Sequence, residues 1–74
     1  ILPMSVAPHH PVAVEVGKHV RAARKRYNLT QRQLSELAEL SDKTIRDIEH
    51  GTGSPSFAGV LHTLDVLGLD IGVN

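Results

Sequence analysis

Lys18, Arg21, Arg24, Lys25, Arg26 and Arg32 fall in one stretch that contains no acid. Cations gathered in this way suit a polyanion such as a nucleic-acid backbone. Glu36, Glu39, Asp42, Asp47 and Glu49 follow, interrupted by Lys43 and Arg46. The formal net charge is zero, and a zero total argues against a polyanion partner. The uneven distribution still allows one basic face. Other chemistries find less support. His9 and His10 are adjacent, but no further ligand stands at metal-binding spacing, so a solvated tail is expected there. His19, His50 and His62 have no ligand set or triad partner in view. The chain shows no Ser/His/Asp set, no glycine-rich phosphate loop and no glycosidase-like carboxylate pair, and it has little room for a cleft. No enzyme, metal or cofactor is expected.

These side chains must be positioned by very little protein. The chain has 74 residues, no cysteine, no Trp, one Tyr and one Phe. A single domain with a thin aliphatic core and no covalent staple is expected, and this favours oligomerisation. No apolar run approaches the roughly 20 residues of a membrane span. No secretory signal pattern is visible, so the cytoplasm is the expected location.

Residues 1–11 hold three of the four prolines and no periodicity, which predicts a disordered or extended arm. Residues 12–68 are predicted to form a helical domain, and 69–74 a terminal strand. The first helix is predicted from Val12 to Tyr27, with Val16, Val20, Ala23 and Tyr27 on its inner face. Asn28 is a candidate left-handed terminator. Thr30 and Gln33 form a capping box for a second helix running to about Ala38, which buries Leu34 and Ala38. Ser41 caps a third helix, roughly Asp42 to His50, and Asp42 complements the positive end of its dipole. After the loop "GTGSPS", Ser54 or Ser56 caps a fourth helix. Phe57, Val60, Leu61, Leu64 and Leu67 are predicted to point inward, and Gly68 ends it. In "LDIGVN" the period drops to two. Leu69, Ile71 and Val73 line one side of a half-buried strand. With no second strand in the chain, the same strand from another copy would pair it across a two-fold axis. A frayed tail is the alternative.

Two short helices with almost no linker, at Leu34–Leu40 and Ile45–Ile48, fit a helix-turn-helix, whose second helix enters the major groove of DNA. An ordinary helical hairpin would share that outline. "LTQRQLSELAELSDKTIRDIEHG" resembles the helix-turn-helix of the Xre, or lambda-repressor/Cro-like, family. Thr30-Gln31 opens helix two. Leu34, Ala38, Leu40, Ile45 and Ile48 match the buried positions, and "IRDIEHG" matches the family's ending. The resemblance implies an all-α fold of four or five helices, to which the short C-terminal strand paired across a dimer is added. It implies phosphate contact by Gln31 and the start of helix two. It also implies base reading by Asp42, Lys43, Thr44, Arg46 and Asp47, beginning at the Ser41 cap, and a structural Arg24–Glu49 ion pair. Two positions depart from the pattern. Glu39 stands where Gly is usual in the turn, and Ser35 where a small Ala is usual.

Physical roles follow for the polar side chains. Arg46 can fork onto guanine, a contact worth about 1–3 kcal/mol of discrimination. Lys43 and Arg32 suit phosphates. Thr52 and Ser54, ahead of the fourth helix, can donate to phosphate beside that helix's N-terminus. Asp42 and Asp47 can accept from cytosine N4 or repel non-specific DNA. The ending "LHTLDVLGLDIGVN" resembles HipB-type antitoxins. That resemblance implies a homodimer on a palindromic operator that represses its own operon and holds a HipA-like serine/threonine kinase toxin. A stand-alone Xre-type or phage-like repressor stays open, as does a protein-interaction module of the same fold that does not read DNA.

Overall fold

A computed structural model of the protein describes residues 10–70. Four helices follow one another in it: α1 (Pro11–Arg26), α2 (Gln31–Ala38), α3 (Asp42–His50) and α4 (Phe57–Val66). No strand occurs among the described residues, and no helix among them is long and apolar enough to cross a membrane. Residues 1–9 of the expected arm lie outside the described part. His10 is the N-cap of α1 and Pro11 its first residue, one position earlier than the periodicity predicts. Pro suits this site because its missing N–H would be unpaired there in any case.

The caps follow from local chemistry. Thr30 accepts from the Gln33 amide while the Gln33 side chain accepts from the Thr30 amide, a complete capping box. Ser41 accepts from the Thr44 amide, and Ser56, rather than Ser54, accepts from the Gly59 amide to cap α4. Among the described residues Asn28 and Glu39 are the two non-glycine residues with positive φ, both at 58°. Each of these two residues turns the chain out of the helix that ends just before it.

Val20, Ala23, Leu34, Ala38, Ile45, Ile48, Leu64 and Leu67 form the buried core. Removing a fully buried side chain of the size of Leu34 or Ile45 from water stabilises the fold by roughly 1.5–3 kcal/mol. α1 packs on α3, and α2 packs on both α3 and α4. The approach of α1 to α3 is close because Gly17 lies against it. A Cβ on Gly17 would collide with the carbonyl oxygens of Ile48 and Glu49.

Three predicted core residues are corrected. Tyr27 is the C-cap of α1 and is 57% exposed, because the helix has ended and its ring no longer follows the inner stripe. Phe57 and Leu61 are 72% and 40% exposed. The inner face of α4 instead runs through Gly59, Val60, Thr63, Leu64 and the capping Leu67. Thr63 is fully buried, and its hydroxyl bonds back to the Gly59 carbonyl at 2.9 Å. That local partner lets a polar residue occupy a core position which a search for apolar residues passes over. Phe57 forms one lip of a cleft of about 710 Å³ between the starts of α1 and α4, also lined by Val12, Val16, Pro55 and Val60.

Leu69, expected to open the terminal strand, belongs to the end of α4. Its amide donates to the Leu64 carbonyl at 2.8 Å, next to Gly68 at φ 71°, and its side chain packs on the monomer core. This is the cap geometry in which a left-handed glycine frees the following amide to reach back to the last turn. Ile71 and Val73 lie outside the described residues.

Candidate nucleic-acid interface

α3 buries Ile45 and Ile48 against α1 and α2 and turns its other side to solvent. Lys43, Arg46, Asp47 and His50 recur at three- and four-residue spacing and so share that outer side. Lys43, Arg46 and His50 are exposed, and Asp47 is partly covered. Arg46 has no hydrogen-bond or ion-pair partner among the described residues, whereas Lys43 Nζ lies 2.7 Å from Asp47 Oδ2. Thr44, in the first turn, has its hydroxyl 2.9 Å from that of Ser41.

The base of this face is held from three sides. The first is the turn from α2. The Ser35 hydroxyl, 2% exposed as a residue, lies 2.6 Å from the Arg32 carbonyl and 2.7 Å from Asp42 Oδ1. It has one proton and therefore donates to one of the two at a time. Asp42 thus opens α3 tied to α2, half-buried, rather than standing free. The second is α1. Arg24 Nε donates to Glu49 Oε2 at 2.6 Å, its Nη2 to Glu49 Oε1 at 3.1 Å, and its Nη1 to the Leu29 carbonyl at 2.8 Å. The two side chains are 11% and 2% exposed. A forked guanidinium–carboxylate pair fixes angle as well as distance, so the end of α3 is oriented on α1. Gln31 joins the pair, its Nε2 donating to Glu49 Oε1 at 3.2 Å.

The third side is the loop after α3. The Thr52 amide donates to the Asp47 carbonyl at 3.2 Å, and the Thr52 and Ser54 hydroxyls lie 2.9 Å apart. Ser54 Oγ donates to Asp47 Oδ2 at 3.4 Å. The hydrogen bond from Lys43 holds the Asp47 carboxyl below its ordinary value, against the opposing pull of desolvation. His10 joins this region too. Its amide donates to the Gly51 carbonyl at 3.3 Å, and its ring lies so close over Gly53 that a Cβ there would strike it. His10 is exposed, as expected of a solvated residue, but it is fixed to this loop, and His9 lies outside the described residues.

Of the predicted site residues, the fold brings Ser41, Asp42, Lys43, Thr44, Arg46 and Asp47 onto α3 and its cap, with Thr52 and Ser54 beside its last turn. Arg32 is exposed on α2 with only a 3.7 Å contact to Glu36. Gln31 stands next to it but has its amide turned toward Glu49. The positioning roles of Gly17 and His10, and the hydrogen bonds of Ser35 beyond its small size, are not directly evident from the sequence. For Gly17 a signal existed: an interior helical glycine costs about 1 kcal/mol against Ala, which implies a close approach. Among the described residues no group of acids, histidines or cysteines is arranged to hold a metal ion.

Residues 20–71 match the family model described as Helix-turn-helix. The chain belongs to the Xre-like helix-turn-helix family. Among Xre-like proteins it is similar to an immunity repressor protein of Bacillus phage phi105, 38% identical over 56 residues that make up 76% of this chain. The chain spans 39% of the length of that repressor. Its fold is that of two solved structures, one described as MDT Protein and one as the HipA-HipB-O2-O3 complex. Each has a TM-score of 0.72 at 15% identity, over 99% of this chain and 96% of theirs.

Proposed function

We propose that this domain is the operator-binding part of a transcriptional repressor and that α3 is its reading helix. The observation that carries the proposal is the outer side of α3. Arg46 there is exposed and unpartnered among the described residues, on a helix fixed at its start through Asp42 and at its end through Glu49. A rigid base under a free guanidinium is what bidentate reading of guanine requires. Arg32, Lys43, Thr52, Ser54 and the start of α2 at Gln31 supply the surrounding phosphate donors. The likeness to a phage immunity repressor supports repression as the outcome.

The active form is a homodimer on a palindromic operator. Phe57 and Leu61 leave adjacent apolar surface on α4, and residues 71–74 carry the apolar alternation that a second copy can pair. Two finer readings differ in what the dimer serves. The ending at 61–74 supports a HipB-type antitoxin with a HipA-like kinase partner, and the HipA–HipB likeness adds support at the level of fold. The phage relative supports a stand-alone repressor. A kinase-like reading frame beside this one, and co-purification with its product, separates them.

Binding of a palindromic fragment from the protein's own promoter tests the central proposal. Affinity should fall steeply between about 50 and 200 mM salt as phosphate-bound counterions are released, and half-sites should lie about 34 Å apart. A flat salt profile refutes DNA binding and leaves the protein-interaction reading.

A further inference from the structure

Two side-chain donors converge on the carboxylate of one residue at the rim of α3, and a third hydroxyl lies against its main chain. Lys43 Nζ lies 2.7 Å from Asp47 Oδ2, and Ser54 Oγ reaches the same oxygen at 3.4 Å. Thr52 Oγ1 lies 3.4 Å from the Asp47 carbonyl and 2.9 Å from Ser54 Oγ, with one proton to give to either. Each donor is a residue that suits a DNA phosphate. A carboxylate and a phosphodiester offer such groups the same thing, anionic oxygens at hydrogen-bond distance. Arg46, on the same face, makes no hydrogen bond to the carboxylate, though its charge also favours the ionised form.

We infer that Asp47 is an internal phosphate mimic, which holds Lys43 and the Ser54 hydroxyl in the free protein until a duplex takes them from it. This rests on the DNA-binding role of α3 and adds how that face is regulated: it competes with itself. Asp47 is ionised at neutral pH as any unburied aspartate is, and the Lys43 bond favours that form further. A duplex that recruits Lys43 strips the carboxylate of its main donor. At a site with a cytosine amino group in reach the carboxylate regains one, and elsewhere it does not. Affinity for arbitrary DNA is thereby held down while operator affinity is spared.

The test is the salt dependence of binding to a duplex of scrambled sequence, for wild type, Asp47→Asn, Asp47→Asn with Lys43→Met, and Asp65→Asn. The last changes net charge equally from an exposed position on α4. Asp47→Asn should steepen the log–log slope by about 0.9, because Lys43, which stays on Asp47 when the wild type meets a scrambled duplex, is then free to neutralise one additional phosphate. Asp65→Asn should not, and adding Lys43→Met should abolish the gain. Asp47→Ser, checked for folding by circular dichroism, should repeat the Asp47→Asn result. If wild type binds and the Asp47 variants share its slope, or if the gain survives Lys43→Met, the mimic is refuted and the DNA reading stands. If no variant binds with any salt dependence, both fall.

Discussion

Glu39 holds its backbone at φ 58° where α2 ends, a conformation in which a side chain is strained and glycine is not. Glu39→Gly should therefore stabilise the protein by about 1 kcal/mol, raising the melting temperature by roughly 4–8 °C in a domain of this size. A clear fall in a thermal melt contradicts this. Gly17 predicts the opposite sign. Gly17→Ala drives a methyl group into backbone carbonyls that cannot move aside, and should lower stability by about 1–3 kcal/mol in urea denaturation. Single residues were legible in the sequence where their role is local. Thr30, Gln33 and Ser41 accept from amides within a few positions, and Asn28 and Gly68 turn the chain at helix ends, so spacing alone identifies them. Ser35 and Asp42 were seen separately, but their hydrogen bond joins two helices, and nothing in the spacing announces it.

At the scale of elements, the Arg24–Glu49 pair sets how α3 sits on α1. Arg24→Met alone leaves a buried carboxylate with only Gln31 beside it. The expected loss is about 3–5 kcal/mol, whereas pairing it with Glu49→Leu should recover most of that. Equal losses in the single and double variants, measured by denaturant unfolding, would show that the pair does not act as a unit. Helix boundaries are readable within a residue or two because α2, α3 and α4 carry side-chain N-caps and α1 opens on a proline. The inner face of α4 was not fully readable, since Thr63 satisfies its hydroxyl within its own helix and so enters the core as a polar residue. Phe57 and Leu61 then fall outside the stripe. The same holds for α1, where Tyr27 continues the apolar period beyond the point at which the helix stops.

At the scale of the whole molecule, a net charge of zero conceals an exposed Lys43 and Arg46 on one helix. Totals cannot display such an arrangement, and the fold can. Two-fold assembly is set by surfaces that a single chain leaves uncovered, so its test lies in solution. Ending the chain after Asp70 keeps Leu69 on the core and should lower the dimer fraction in light scattering and weaken operator binding together. A fully dimeric truncated chain removes residues 71–74 from the interface. The most direct test of the central claim is to follow backbone amide signals by NMR while a promoter duplex is added at moderate salt. Shifts should concentrate on residues 31–32, 41–47 and 52–54, with Arg46 among the largest. Shifts centred on the Phe57–Leu61 side of α4, with α3 unmoved, would contradict it.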